Sequence, residues 1–184
     1  MDFRETLKTL VKEFKESDIR YALIGGFAVG ILGVPRATLD LDFLILNEQW
    51  PQVDTIMKEL GYECRHKSED VSQYVSAVKL FGEVDFIHAF RKVSKSMLAR
   101  AIEKEAFGGE LKICVLKPED IIGLKLQALA NDPQRENREY ADIEALLESC
   151  RATLDWPLLA EYFSLFEQEE AFNKFKARFY GTEQ

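Results

Sequence analysis

The sequence predicts an α+β protein in which a small mixed β-sheet with flanking helices is followed by a C-terminal helical subdomain. As far as residue 116, short apolar runs typical of strands alternate with amphipathic helical patterns, whereas from Pro118 onwards only helical patterns occur. Apolar residues make up 47% of the 184 residues, which is enough to fill a core. We therefore divide the chain into a core of residues 1–116 and a helical part of residues 117–184, and expect the helices to pack on the sheet.

Glycine and proline delimit the elements of the first 46 residues. The apolar positions near the N-terminus have the spacing of an amphipathic helix. Gly25 and Gly26 indicate a tight turn directly after a short apolar strand, and Pro35 indicates the end of the helix that follows. We predict helices over 6–14 and 27–32, and strands over 21–24 and 39–46.

The same reasoning applies to the rest of the chain. Asn47 is expected to cap the next helix, Gly61 to end it, and Phe81-Gly82 to form a hairpin turn. We predict helices over 49–60, 94–105, 118–130, 138–150 and 169–180, another that begins at Trp156, strands over 62–66, 74–80 and 83–87, and a strand pair within 107–116.

Composition and charge exclude several classes of protein. The chain carries 24 Lys and Arg against 32 Asp and Glu, so its formal charge of −8 repels nucleic acid on average. No apolar run approaches the ~20 residues that cross a bilayer, and the charged N-terminal segment does not resemble a signal peptide. Cys64, Cys114 and Cys150 form neither a zinc-binding nor a disulfide pattern. We accordingly expect a cytoplasmic protein without a membrane partner.

Two aspartates in the strand over 39–46 are the first candidate functional residues. Side chains alternate along a strand, so Asp40 and Asp42 share one face, ~7 Å apart. Their neighbours Leu39, Leu41 and Phe43 share the other face, which we expect to be buried. Two carboxylates among apolar neighbours repel each other and resist burial. A divalent cation that prefers oxygen ligands, most simply Mg²⁺, resolves both problems.

A third carboxylate and a glycine pair complete the pattern. Asp85 lies between apolar residues of a predicted strand, and it reaches the same cation if that strand pairs with the strand of residues 39–46. Three carboxylates around one or two Mg²⁺ ions are typical of phosphoryl and nucleotidyl transfer. Gly25 and Gly26 let the backbone approach a phosphate closely at the start of a helix. Together these features predict a phosphate-binding turn beside a metal site.

These segments resemble the signature of the nucleotidyltransferase superfamily, the DNA polymerase β-like proteins. Residues 24–26 (I-G-G) and 40–42 (D-L-D) resemble its core signature, and residues 36–42 (R-A-T-L-D-L-D) resemble the R-x-T-x-D-x-D variant of minimal and AbiEii-type nucleotidyltransferases. Residues 116–128 resemble the lysine helix of that group, and residues 138–143 (R-E-Y-A-D-I) resemble its R-D-x-x-D motif.

The resemblance implies five catalytic residues. Asp40, Asp42 and Asp85 would bind Mg²⁺, and Asp85 would also act as general base toward an acceptor hydroxyl. Lys125 would bind the triphosphate of an NTP, and Asp142 would orient Lys125 or the acceptor.

The same resemblance implies a set of nucleotide-binding residues. Gly25 and Gly26 would hold the phosphates, although many relatives have Ser at the position of Gly26. Arg36 and Thr38 lie just before the aspartate strand, and the Thr38 side chain shares the strand face of Asp40. Arg36, Thr38 and Lys125 would therefore join the glycines around the nucleotide.

The implied activity is a Mg²⁺-dependent transfer of an NMP from an NTP to an acceptor hydroxyl, with release of pyrophosphate. The AbiEii-like motifs imply an RNA acceptor, and with it a toxin that has a cognate antitoxin. The acidic composition and small size favour a small-molecule acceptor instead, such as an aminoglycoside or a lincosamide. A nucleotide-binding module that has lost catalysis is a third alternative, against which the presence of all three acids argues.

Overall fold

The computed structural model describes residues 2–78 and 81–180. The chain forms two compact units: the first comprises Met1–Ile31 and Arg36–Leu116, and the second comprises Leu32–Pro35 and Lys117–Gln184. Every strand of the described residues belongs to the first unit, and the second unit is helical. The predicted α+β class, with a mixed sheet, flanking helices and a C-terminal helical part, is confirmed. Among the described residues, no helix is both long and apolar enough to span a membrane.

The first unit is built around one seven-stranded mixed sheet. Its elements in chain order are α1 (Phe3–Glu16), β1 (Tyr21–Ile24), α2 (Gly25–Ile31), β2 (Asp40–Leu46), α3 (Trp50–Glu59), β3 (Tyr62–Lys67), β4 (Val71–Ser76), β5 (Glu83–Ala89), α4 (Lys92–Ala99), β6 (Ile102–Ala106) and β7 (Leu111–Val115). The strand order is β3-β4-β5-β2-β1-β7-β6. The central strand β2 pairs in parallel with β5 and antiparallel with β1, so the ends that carry the sequence motifs come together.

One face of this sheet carries an aromatic core. Phe43 of β2 and Phe86 of β5 stack with ring centroids 5.6 Å apart, and Phe14 of α1 packs edge-on against both rings. All three side chains are fully buried. Because side chains alternate along a strand, the opposite face of the same two strands carries Asp42 and Asp85, which are direct neighbours in the register.

The second unit contains four α-helices within the described residues. They are α5 (Pro118–Asn131), α6 (Glu136–Cys150), α7 (Trp156–Leu165) and α8 (Glu169–Phe179). Proline at the first position of α5 suits a helix start, as the sequence predicts. The Tyr162 hydroxyl of α7 donates to Asp120 of α5 at 2.7 Å, and Asp120 is fully buried. This hydrogen bond and the packing of Phe163 against Phe172 and Phe175 connect the helices of this unit.

Three predicted elements are wrong in extent. Residues 107–116 contain one strand, β7, and not the predicted strand pair, because its partner β6 precedes them at Ile102–Ala106. The helix expected over 94–105 ends at Ala99, and residues 102–106 form the edge strand β6, because pairing with β7 overrides the helical preference of its Glu and Lys residues. The strand expected over 74–80 is observed as Val71–Ser76, while residues 79–80 lie outside the described residues.

Two local expectations around β2 also differ from the structure. Leu39, expected on the buried face, is 87% exposed because β2 begins only at Asp40. Asn47 does not cap α3, because a 3-10 turn over Asn47–Gln49 separates it from that helix.

His88 lies on the core side of β5, opposite to the face of Asp85. It is 3% exposed, and its Nδ1 lies 3.0 Å from the carbonyl oxygen of Glu69. A carbonyl only accepts hydrogen bonds, so Nδ1 carries a proton. Burial lowers the pKa of His88 below its usual value and so favours the neutral ring, in which Nε2 accepts from the Ser72 hydroxyl, 3.0 Å away.

We predict that His88 makes the stability of the fold sensitive to acid. As pH falls through the ordinary histidine pKa of about 6.5, the unfolded chain binds a proton that the folded chain does not, so the free energy of unfolding decreases. Urea denaturation at pH 7.5 and pH 5.5 measures this difference. His88→Gln should reduce the dependence on pH, and His66→Gln, at the other and exposed histidine, should leave it unchanged. Equal slopes in the wild type and His88→Gln would contradict the prediction.

Candidate functional site

A row of side chains crosses four neighbouring strands on the face opposite the aromatic core. The register places Gln73 of β4 beside Asp85 of β5, Asp85 beside Asp42 of β2, and Asp42 beside Ile24 of β1. Asp40 lies two residues before Asp42 and therefore on the same face. One carboxylate oxygen from each of the three aspartates lies within 4.8 Å of the others. The structure thus brings together the three carboxylates that the sequence singled out.

The environment of this cluster opposes its negative charge. All three aspartates are partly buried, and burial raises the pKa of the Asp85 carboxyl above its usual range. The neighbouring charges of Asp40 and Glu83 raise the pKa of Asp85 further, while the hydrogen bond from Gln73 opposes the rise. Three carboxylates at this separation are a site that favours a bound cation.

The residues present fit a Mg²⁺ ion. Mg²⁺ prefers oxygen ligands at about 2.1 Å in an octahedron, so two ligand oxygens of one ion are about 3.0 Å apart when adjacent and about 4.2 Å apart when opposite. One carboxylate oxygen from each of Asp40, Asp42 and Asp85 lies within 4.8 Å of the others, so the three side chains are close enough to share one ion after they move toward it. We therefore assign these three residues as the candidate metal ligands.

The glycine turn between β1 and α2 touches this carboxylate cluster. Gly25 has a φ of +65°, a backbone conformation that residues other than glycine rarely adopt. A Cβ atom at this position would also overlap the Asp42 carboxylate. Glycine is therefore required at residue 25 for two independent reasons, and Asp42 stands directly against the backbone of the turn.

The loop before β2 closes against the second glycine. A Cβ atom on Gly26 would lie 2.8 Å from Oγ1 of Thr38 and 3.4 Å from Nε of Arg36. The Thr38 hydroxyl donates to Oδ1 of Asp40 at 2.7 Å. Gly26, Arg36 and Thr38 therefore lie together beside the carboxylates, and Thr38 contacts a candidate metal ligand directly.

Lys125 and Asp142 belong to the second unit, where they form an ion pair. Lys125 of α5 contacts Asp142 of α6 and also Oε2 of Glu139, the latter at 3.0 Å. Glu139 is 2% exposed and also pairs with Arg135 at 2.6 Å. Burial acts to raise the pKa of Glu139, but Lys125 and the charge of Arg135 outweigh it and hold that pKa below its usual range.

Glu139 and Arg135 are functional candidates that the sequence analysis did not select. Glu139 occupies the second position of the segment that resembles the R-D-x-x-D motif, where the motif has Asp. An acidic residue at that position of the motif could have indicated Glu139 from the sequence. Arg135 lies outside that segment, in the turn before α6. The structure shows that both residues belong to the ion-pair network of Lys125.

A separate cavity of about 560 Å³ lies in the first unit, at the carboxyl ends of β2 and β5. Its lining includes Trp50, Lys67, His88 and Phe90. The Lys67 ammonium lies 3.2 Å from the centroid of the Trp50 ring and so covers one aromatic face. The three aspartates lie toward the amino ends of the same strands, so this cavity and the carboxylate site are distinct.

Comparison of the sequence with known protein families identifies the class of enzyme. A family described as "Uncharacterised nucleotidyltransferase" matches residues 1–173. The chain therefore belongs to this family of nucleotidyltransferases and is an enzyme of that class. The superfamily predicted from the sequence is confirmed, whereas the AbiEii-type assignment stays a prediction. A search of curated proteins finds no match.

Several solved structures have a similar fold. The solution structure of the antibiotic-resistance factor ANT(2'')-Ia is 17% identical, with a TM-score of 0.64, over 97% of this chain and 99% of that chain. An antigenic nucleotidyltransferase-like protein from Paracoccidioides brasiliensis is 14% identical, with a TM-score of 0.60, over 95% and 91%. The lincosamide antibiotic adenylyltransferase LnuA is 14% identical, with a TM-score of 0.53, over 77% and 94%. At such identities the likeness shows the fold.

We predict that Gly25→Ala disrupts the site. The added methyl group must displace the Asp42 carboxylate, and the backbone pays about 1–2 kcal/mol for a left-handed conformation with a side chain. We expect a lower melting temperature and weaker binding of Mn²⁺, used as a probe for Mg²⁺.

Gly30→Ala is the matched control. Gly30 lies in α2 with open space around its Cβ position, so the substitution should leave Mn²⁺ binding unchanged and stabilise the helix slightly. Wild-type Mn²⁺ affinity in Gly25→Ala would show that the glycine turn does not set the position of Asp42.

Proposed function

We propose that this nucleotidyltransferase transfers an NMP from an NTP to an acceptor hydroxyl, with Mg²⁺ bound by Asp40, Asp42 and Asp85. The observation that carries the proposal is the convergence of three carboxylate oxygens within 4.8 Å on two adjacent parallel strands. When bound there, Mg²⁺ would offset the negative charge that develops on the phosphates during transfer. The glycine turn beside Asp42 supports a phosphate position next to the same carboxylates.

In the proposed reaction the acceptor oxygen attacks the α-phosphorus of the NTP in line. The bond between the α-phosphorus and the bridging oxygen to the β-phosphate breaks, and pyrophosphate leaves with the electron pair of that bond. The proton of the acceptor hydroxyl passes to the Asp85 carboxylate, which lies on the open face of the sheet. Gly25, Gly26, Arg36 and Thr38 are proposed to contact the phosphates.

Lys125 is proposed to bind the triphosphate, as the resemblance implies. Its ammonium lies between the carboxylates of Glu139 and Asp142, and its side chain is 11% exposed. Two partners hold a flexible lysine in one conformation, so less side-chain entropy is lost when it binds a phosphate. We propose that Asp142 orients Lys125 in this way and that Glu139 assists it.

A small cationic molecule is the acceptor that we favour. The chain has a net charge of −8, which attracts cations and repels RNA. Structures of two proteins of similar fold contain a bound antibiotic or its adenylylated form: ANT(2'')-Ia in complex with adenylyl-2''-tobramycin, and LnuA with lincomycin bound. These likenesses support, for this chain, a hydroxyl acceptor of the aminoglycoside or lincosamide class.

An RNA acceptor is the second candidate. Its support is the resemblance of residues 36–42 and 138–143 to AbiEii-type nucleotidyltransferases, which would make the protein a toxin with a cognate antitoxin. The R-x-T-x-D-x-D segment forms the loop and first residues of β2 that contact the glycine turn.

Incubation of the protein with Mg²⁺, each α-labelled NTP, and either a panel of aminoglycosides and lincosamides or total tRNA tests the proposal. We expect label on a small-molecule acceptor. Label on tRNA would establish the RNA acceptor instead. Tight NTP binding without transfer to either class would contradict the proposed activity and support a non-catalytic nucleotide-binding module.

Asp40→Asn is the decisive variant in this assay. It keeps the shape of the side chain and removes one charge, so transfer should fall by about 100-fold or more, the scale expected when one electrostatic stabiliser of a transition state is lost. Its melting temperature in EDTA should not decrease, because the substitution relieves repulsion among the carboxylates.

The control for Asp40→Asn is Asp18→Asn in the turn after α1. Asp18 is exposed and has a positive φ, which Asn also tolerates, so this variant should retain full activity. Full transfer activity in Asp40→Asn would show that the carboxylate cluster is not the catalytic site.

A further inference from the structure

Gln73 is the neighbour of Asp85 on the side away from the other two aspartates. It lies on β4 directly opposite Asp85, and its Nε2 donates to Oδ2 of Asp85 at 3.0 Å. No sequence motif marks Gln73, because the contact depends on the pairing of β4 with β5. Because β4 and β5 pair in this register, the Gln73 amide reaches the Asp85 carboxylate from the adjacent strand, on the same face of the sheet.

The charge of the donor matters as much as its position. A lysine or arginine at this place would neutralise Asp85 and compete with a cation for its oxygens. An amide donates a hydrogen bond without a charge, so Gln73 does not neutralise Asp85. The bond to Oδ2 uses neither Oδ1 nor the second lone pair of Oδ2. Thr38 does the same for Asp40, since its neutral hydroxyl donates to Oδ1 at 2.7 Å.

We propose that Gln73 is a positioning residue, which holds the Asp85 carboxylate in the orientation that a divalent cation shared with Asp40 and Asp42 requires, and does so without neutralising it. This inference rests on the proposed function of the three carboxylates as the metal site. Neutral hydrogen-bond donors that orient metal ligands contribute to metal affinity although they do not contact the ion. Gln73 therefore acts on metal binding through Asp85.

Titration of the full chain with Mn²⁺ by isothermal calorimetry, without nucleotide, tests this role directly. Gln73→Met keeps the length of the side chain and removes the donor, so we expect the Kd for Mn²⁺ to rise about 10-fold. Gln73→Lys restores a donor but adds a charge, and should weaken Mn²⁺ binding at least as much. If any donor sufficed, Gln73→Lys would bind as tightly as the wild type, and that result would overturn the claim about neutrality.

A kinetic comparison separates positioning from a general structural effect. In Gln73→Met the apparent activation constant for Mg²⁺ should rise, whereas the KM for NTP at saturating Mg²⁺ should stay near the wild-type value. Gln52→Met, at an exposed glutamine of α3, is the matched control and should change neither quantity. Melting temperatures within the error of the wild type exclude unfolding as the cause.

The outcomes distinguish this inference from the function on which it rests. Wild-type protein that transfers an NMP, together with a Gln73→Met variant that binds Mn²⁺ as tightly as the wild type, would overturn the role of Gln73 and leave the proposed function intact. A wild-type protein that binds no Mn²⁺ at the carboxylates would overturn both.

Discussion

Three carboxylates that repel one another lie together on the adjacent strands β2 and β5. One oxygen of each carboxylate lies within 4.8 Å of the others. Two full charges at about that distance repel by roughly 3 kcal/mol if the effective dielectric constant is about 20. The backbone ladder between β2 and β5 keeps Asp42 and Asp85 adjacent in spite of this cost. On the reverse face of the same strands, Phe43 and Phe86 are fully buried against α1, and this packing stabilises the register that the carboxylates oppose. The fold thus holds three negative charges together, an arrangement that a bound cation would stabilise.

Two neutral side chains donate hydrogen bonds to the cluster. The contacts of Thr38 with Asp40 and of Gln73 with Asp85 orient the carboxylates without removing their charge. Gly25 brings backbone, and no side chain, against Asp42. Lys125 in the second unit differs from these groups, because it pairs with the oppositely charged Glu139 and Asp142. These two carboxylates compensate its charge and hold its ammonium in place.

The parts of the site that lie close together in the sequence were predictable. Strand alternation alone places Asp40 and Asp42 on one face, and the glycine turn follows from the apolar run before it. Gln73 could not be found in this way, because its contact requires the register between β4 and β5, and register depends on packing across the whole sheet. The helix predicted over 94–105 was wrong for a related reason: the pairing of β6 with β7 decides the structure of residues 102–106, and local propensity does not.

Anomalous diffraction can show whether Asp40, Asp42 and Asp85 share a divalent cation. Crystals of the protein grown with Mn²⁺ and a non-hydrolysable NTP analogue should show an anomalous peak within about 2.5 Å of carboxylate oxygens from Asp40, Asp42 and Asp85, a distance that corresponds to direct coordination. An anomalous peak elsewhere, with the three carboxylates bound only to water and protein groups, would contradict the account.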